Sequence, residues 1–293
     1  MSTNQSHLFS NMSVANSTWF ITGVNRGLGR SIAEAVLQRG GRVAGTVRNL
    51  STATELKMKF GDRVWVGRLD LADLASVPYV FDAAVAHFGR IRAVVNNAGY
   101  SLLGAAEELE LDAMQQIVNT NLLGSIQVAR AAVAHMRPLG GGRIIQIASG
   151  AGQASFPGLS LYCATKWGIE GFMDALAQEV AAFGIGTTLV EPGTIRTGFG
   201  VSGVMSPELE AYREGPVGML RSMSKNGYVA PGDADKMAAA IVDTFEAPVA
   251  PARLALGPDV YGYIKTALMS RLEQLEAFKD VTMSTDCDDV AAR

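Results

Sequence analysis

The sequence predicts an α/β protein: a doubly wound parallel sheet of Rossmann type, in a single domain with an inserted substrate lid. Three observations predict it. Short apolar runs alternate with helical patterns from residue 18 onward, as expected of parallel strands covered by helices on both faces. A glycine-rich turn, "TGVNRGLG" (22–29), joins the first run to the first helical pattern. No Pro/Gly/Ser linker divides the chain and no repeat of fixed period runs through it.

Composition narrows the function classes. The chain has 293 residues, 48% hydrophobic and 18% charged, which fits a soluble protein with a sizeable core. A formal net charge of −3 gives a nucleic-acid partner no support. No run approaches the ~18 consecutive apolar residues of a membrane span. Two distant cysteines, Cys163 and Cys287, make neither a disulfide framework nor a metal site. The three histidines are scattered, so no metal is expected, and a reducing cytoplasm is the expected location.

The elements follow in order. Residues 1–17, rich in Ser and Asn, read as a flexible N-terminal tail without the pattern of a secretory signal. "STWFITG" (17–23) is a buried strand, and "RSIAEAVLQRG" (30–40) a helix ending at glycine. "GRVAGTV", "DRVWVGRLDL", "IRAVVNNAG", "GRIIQIAS" and "IGTTLVEPG" are further strands separated by helical patterns. Residues 198–230 break the rhythm; a connection of that length in a compact domain reads as a substrate lid. "DADKMAAAIVDTFE", "ARLALG" and "YIKTALMSRLEQLEAF" return to helix, strand and helix. The domain therefore spans 18–280, and residues 281–293 form a polar tail.

Gly23, Gly27 and Gly29 lie between a strand and a helix. Glycines there allow a tight turn and the close approach of a pyrophosphate to the helix N-terminus. Their spacing, Gly-x3-Gly-x-Gly, also suits an ordinary βα turn; the flanking strand and helix favour the nucleotide. An NAD site wants an acidic residue about 20 positions on. No Asp or Glu occurs between Glu34 and Glu55, and Arg48 ends the second strand instead. Arg26 sits inside the glycine turn. Two guanidiniums beside the adenosine ribose suit a 2′-phosphate, so the expected cofactor is NADP(H).

Tyr162 and Lys166 stand one turn apart at the start of a helix whose apolar stripe is Ile169, Phe172, Met173, Leu176, Val180 and Phe183. A free phenol titrates near ~10, and a neighbouring ammonium favours its ionised form, which would make a usable acid or base. Alone, such a pair is commonly a half-buried Tyr and a snorkelling Lys. Here a strand ends at Ser149, thirteen residues before Tyr162, on the edge where ligands bind in open α/β sheets. "NNAG" (96–99) and "EPGTIRT" (191–197) end strands on the same edge.

Together these residues resemble the short-chain dehydrogenase/reductase family. The motifs are "TGVNRGLG" (22–29), "DL" (70–71), "NNAG" (96–99), "NLLG" (121–124), Ser149, "YCATK" (162–166) and "PGTIRT" (192–197), in the family's order over roughly residues 18–260. More loosely, the chain is similar to the subgroup with hydroxysteroid and retinol dehydrogenases. The resemblance implies a catalytic set of Asn121, Ser149, Tyr162 and Lys166. Tyr162 would be the acid/base, Lys166 would hold the nicotinamide ribose, Ser149 would orient the substrate oxygen, and Asn121 would complete a proton relay. It implies cofactor contacts from Gly23, Asn25, Arg26, Gly27, Leu28, Gly29 and Arg48. Asp70 and Leu71 would flank the adenine, and Asn97, Ala98 and Gly99 the central strands. Pro192, Gly193, Ile195 and Thr197 would lie at the nicotinamide. Ala148 departs from the family pattern, where many members have a serine.

An NADP(H)-dependent oxidoreductase acting on a small-molecule alcohol or carbonyl is the expected function. The alternative is a regulatory protein that senses NADP(H) without turnover; the complete catalytic set argues against it. An epimerase or dehydratase is disfavoured by the glycine spacing and single-domain length. Val204, Met205, Tyr212, Val217, Met219, Leu220 and Met223, with Leu102, Leu103 and Phe156, serve either as an apolar pocket wall or as packing of the lid onto the core. Apolar helix faces in this fold meet either the sheet or a second copy of the chain, which leaves a homo-oligomer open.

Overall fold

Residues 12–197, 203–226 and 228–287 are described by the computed structural model. The first strand, β1 (Thr18–Thr22), is buried along its whole length, as a central strand covered on both faces must be. α1 (Gly27–Gln38) follows, with Ile32, Ala33, Val36 and Leu37 buried at helical spacing. β2 (Arg42–Val47), α2 (Thr54–Phe60), β3 (Val64–Arg68), α3 (Ser76–Phe88) and β4 (Ala93–Asn96) continue the alternation. Next come β5 (Leu102–Leu103), α4 (Leu111–Val118), α5 (Gly124–Met136), β6 (Gly142–Ile147) and α6 (Ser160–Val180). The chain then forms β7 (Ile185–Pro192), β8 (Val204–Met205), α7 (Pro216–Lys225), α8 (Ala234–Glu246), β9 (Arg253–Leu256), α9 (Pro258–Ala277) and α10 (Lys279–Met283).

Seven strands form one sheet in the order β3-β2-β1-β4-β6-β7-β9, every neighbouring pair parallel. The order reverses between β1 and β4, which opens a crevice at the carboxyl ends of the strands. Two apolar layers cover the sheet. Trp19, on one face, meets Phe245 of α8 at 4.8 Å between ring centroids. Phe20, on the other, meets Phe81 of α3 at 4.9 Å. The stripe expected on α6 is buried at Ile169, Met173, Leu176 and Val180, while Phe183 lies past the helix end and is largely exposed.

Two stretches differ from the sequence expectation. Residues 12–17, assigned to the tail, pack onto the domain. Met12 and Val14 join the layer beneath α1 and α8, and the Val14 amide donates to Glu246 Oε1 at 2.9 Å. Two apolar residues in a polar run are too few to show a period, which is why the sequence hides them. Residues 1–11 lie outside the described residues, as do 198–202 and 227 of the lid and 288–293 of the C-terminal tail. The described part of the stretch expected to be a lid carries structure: β8 pairs with β5, Leu102 opposite Val204, and α7 follows. Among the described residues, no helix is long and apolar enough to cross a membrane, and no cluster of ligating side chains forms a metal site.

Candidate active site

The glycine turn after β1 is fixed by close packing. Gly23 and Gly27 adopt φ of 75° and 58°, left-handed conformations that side chains disfavour. A Cβ on Gly29 would lie 2.3 Å from both Asn97 Nδ2 and the Gly23 carbonyl. Asn97 in turn donates through Nδ2 to the carbonyls of Thr22 (2.9 Å) and Gly23 (3.3 Å). The Thr22 hydroxyl accepts from the Asn97 and Ala98 amides at 2.9 and 3.0 Å. The glycine turn and "NNAG" are thus one hydrogen-bonded unit across the switch point. Thr197 closes the unit from above, its Cβ 3.4 Å from the position of a Cβ on Gly27.

The other nucleotide candidates sit on the same edge. Arg26 and Arg48 are exposed, and neither forms an ion pair among the described residues. Arg48 and Asp70 both act electrostatically on the Tyr100 phenol, which places β2, β3 and β4 ends around one neighbourhood. Asp70 Oδ1 accepts from the Ala72 amide at 3.0 Å, and Leu71 packs against Gly124. Asn25 is half-buried, whereas the Leu28 side chain lies in the core, so only its backbone faces the crevice edge. Pro192 ends β7, and the Gly193 amide donates to the Leu256 carbonyl at 2.9 Å. Ile195 bridges Gly232.

Asn121 occupies a π-helical turn, Asn119–Leu123, between α4 and α5. Such turns are rare and recur at functional sites. Its Oδ1 accepts from the Tyr100 amide at 3.1 Å, and its Nδ2 donates to the Tyr100 carbonyl at 2.8 Å and towards Thr165 Oγ1 at 3.4 Å. Thr165 immediately precedes Lys166, so Asn121 ties the end of β4 to the start of α6. Gly99 lies between, with Asn121 Oδ1 only 3.0 Å from where its Cβ would stand.

Ser149 follows β6, where its side chain accepts from the Ala151 amide at 3.1 Å and is hydrogen-bonded to the Tyr162 phenol. Tyr162 is buried in a small apolar cluster with Leu102, Ile117, Ala151 and Cys163. Lys166 Nζ donates to the Ile147 carbonyl at 3.0 Å and lies 5.7 Å from the Tyr162 ring centroid. The expected lowering of the Tyr162 pKa is reversed here. Burial pushes the phenol up to about 12, with the Ser149 hydrogen bond pulling the other way. Burial also pushes Lys166 down to about 8, and the Glu170 carboxylate opposes that fall. Desolvation dominates both shifts.

Two charged groups of this region escape the sequence reading. Glu170, one turn beyond Lys166, is buried and binds Gln153 Nε2 and Arg253 Nη1; Arg253 also reaches Glu191 and Asp174 at 2.5 Å each. Burial raises the Glu170 pKa. Glu108 and Arg221 form a second buried pair at 2.6 Å, joining the segment after β5 to α7. Their sequence surroundings are polar and aperiodic, so nothing marks them as buried. Of the wall candidates, Leu102, Leu103 and Val217 are buried, and Tyr212, Leu220 and Phe156 half-buried. Val204, Met205, Met219 and Met223 are exposed.

Comparison with known proteins agrees with this architecture. The family model described as short chain dehydrogenase matches residues 17–203. The oxidoreductase BOA17 of Botryotinia fuckeliana (strain B05.10) is 36% identical over 269 residues, 91% of this chain and 98% of that protein. The oxidoreductase calM of Penicillium decumbens is 32% identical over 284 residues, 92% of each chain. The crystal structure of a short-chain dehydrogenase from Streptomyces avermitilis superposes with a TM-score of 0.86 at 36% identity, covering 94% of this chain and 100% of that one. With the glycine turn, the parallel sheet and the matched family model in agreement, the chain is an oxidoreductase belonging to the short-chain dehydrogenase/reductase family.

Proposed function

We propose that this oxidoreductase is NADP(H)-dependent and transfers a hydride between the nicotinamide and an apolar alcohol or carbonyl substrate. The observation that carries the reading is the Ser149–Tyr162 hydrogen bond in an apolar cluster, with Lys166 one turn along α6. The turn at Gly23, Gly27 and Gly29 fits a dinucleotide, because left-handed glycines and the tight packing of Gly29 against Asn97 and the Gly23 carbonyl let the backbone turn sharply into the N-terminus of α1, where a pyrophosphate would sit. Arg48 and Arg26 supply charge beside a 2′-phosphate. When bound, the cofactor supplies or takes the hydride.

The protein's own groups handle the proton. With a pKa pushed up to about 12, the Tyr162 phenol holds its proton at neutral pH and donates it from Oη to a carbonyl oxygen that Ser149 orients. Lys166 Nζ, anchored on the Ile147 carbonyl, holds the ribose hydroxyls and stabilises the phenolate left behind. Asn121, through Tyr100 and Thr165, fixes the approach of α6 to the cofactor edge. The lid, residues 198–230, closes over the substrate. Cys163 and Cys287 are free thiols, as fits a protein of the reducing cytoplasm.

A panel of apolar ketones and aldehydes, followed by NADPH absorbance with NADH in parallel, tests the reading. Turnover with NADPH exceeding that with NADH is expected for at least one carbonyl. Preference for NADH would overturn the cofactor assignment. Tight NADPH binding without turnover on any carbonyl would favour a sensor.

A further inference from the structure

A second polar pocket lies at the opposite end of the sheet, where β1, β2 and β4 begin. It is lined by residues 13 and 15–17 and by Arg42, Arg90 and Arg92. β1 separates it from the glycine turn by about 16 Å of extended chain. The three arginines are brought together by the strand register. Arg42 opens β2 opposite Thr18, and its amide donates to the Ser17 carbonyl at 2.9 Å. Arg92 precedes Ala93, the partner of Trp19, and its amide donates to the Thr18 carbonyl at 2.9 Å. Arg90 reaches in from the end of α3, with Nη2 on the Leu139 carbonyl at 2.5 Å.

No carboxylate lines the pocket, and none of the three arginines forms an ion pair among the described residues. The side-chain hydrogen bonds of Arg42 and Arg90 go to backbone carbonyls, and Arg42 also stacks 5.5 Å from the Phe88 ring centroid. Two buried polar atoms at this level, Arg42 Nε and Thr18 Oγ1, have no hydrogen-bond partner among the described residues. Burial and the Arg90 charge both lower the Arg92 pKa, so the guanidiniums repel one another where they meet. Gathering like charge beside unsatisfied donors, with no carboxylate in the lining although Glu246 holds the Val14 amide next to it, is an arrangement that a bound anion relieves.

We propose that this pocket binds a phosphate group, held by Arg42, Arg90 and Arg92 and distinct from the nucleotide edge. Guanidinium forks match the oxygens of phosphate, and Ser13 and Asn16 line the same pocket with uncharged polar side chains, while the Ser17 hydroxyl is engaged with the Ser13 carbonyl. A phosphate here would bridge that segment to the starts of β2 and β4. Free orthophosphate and a small phosphomonoester share this chemistry.

Calorimetric titration of the full chain with orthophosphate and, separately, with glycerol 2-phosphate tests the proposal, against chloride at matched ionic strength. Saturable binding is expected, weakened at least tenfold by Arg92→Gln and by the more exposed Arg90→Gln, and retained in Arg48→Gln. Either variant suffices if the other fails to fold, as checked by thermal unfolding without phosphate. Tighter binding of the ester assigns a phosphorylated metabolite, and tighter binding of orthophosphate the free ion; both support the site. Absence of saturable binding, or binding lost in Arg48→Gln but unchanged in Arg92→Gln and Arg90→Gln, overturns it.

Discussion

Replacing Glu108 by alanine removes the group that fastens α7 to the segment after β5. The Glu108 side chain is fully buried and that of Arg221 is 5% exposed. Glu108 accepts from the Ala105 amide at 2.6 Å, the Leu209 amide at 2.9 Å and Arg221 Nη2 at 2.6 Å. Burial works to raise the Glu108 pKa, but these three hydrogen bonds hold it below the usual carboxylate value. Glu108→Ala strands a buried guanidinium and two amides, although Arg221 keeps the Ser206 carbonyl at 3.0 Å. Breaking such a pair costs about 3–5 kcal/mol. Glu108→Gln keeps the shape and should cost about half as much, since a hydrogen bond to a charged group is worth roughly 1.5–3 kcal/mol. The double variant Glu108→Gln, Arg221→Met should recover much of the loss, because no charge is left buried. Urea unfolding gives the stabilities, and hydrogen exchange shows whether the loss is global or confined to residues 204–225. A cost below about 1 kcal/mol for Glu108→Ala, with unchanged exchange across α7, would refute the reasoning.

Three further outcomes follow from the site. Arg48→Asp should weaken NADPH at least tenfold while leaving NADH unchanged or improved, because it removes a donor to the 2′-phosphate and offers an acceptor to a bare ribose; fluorescence titration of both cofactors checks this. Gly29→Ala should abolish dinucleotide binding and cost about 1–3 kcal/mol of stability, since its Cβ would meet a backbone carbonyl and Asn97 Nδ2 at 2.3 Å; a variant of wild-type affinity would refute the turn's role. Lys166 titrates at about 8 folded against 10.5 for the free side chain, so the unfolded chain binds more protons between these values. Stability relative to Lys166→Met should therefore rise between pH 8 and 10.5, by up to about 3 kcal/mol, and that gain is lost as pH falls to 8. A flat difference across this window in urea titrations would contradict the burial of the ammonium.

The parts legible in the sequence are those set by backbone demands. Gly23, Gly27 and Gly29 announce a turn because left-handed backbone and close approach exclude side chains, and the strands ending at Asn96, Ile147 and Pro192 are visible as buried runs. Tyr162 and Lys166 are placed by a period of 3.6. What stayed hidden depends on distant partners. Glu108 meets Arg221 across 113 positions, and Glu170 meets Arg253 across 83, and no local pattern encodes such pairs. Val14 packs beneath α8 because Glu246 caps its amide from 232 positions away. The Tyr162 shift went the other way because proximity of an ammonium can be read from spacing, whereas desolvation is a property of the finished core.

Proton transfer from Tyr162 is the central claim, and Tyr162→Phe tests it most directly. On a carbonyl that the wild-type enzyme reduces, kcat should fall by roughly 10²–10⁴-fold, the contribution of a positioned acid. NADPH affinity, measured by fluorescence titration on the same protein, should stay within about twofold, because the lost hydroxyl serves the substrate oxygen. A Phe variant that retains near-wild-type kcat would contradict the account, since no other described side chain hydrogen-bonded to Ser149 could then supply the proton.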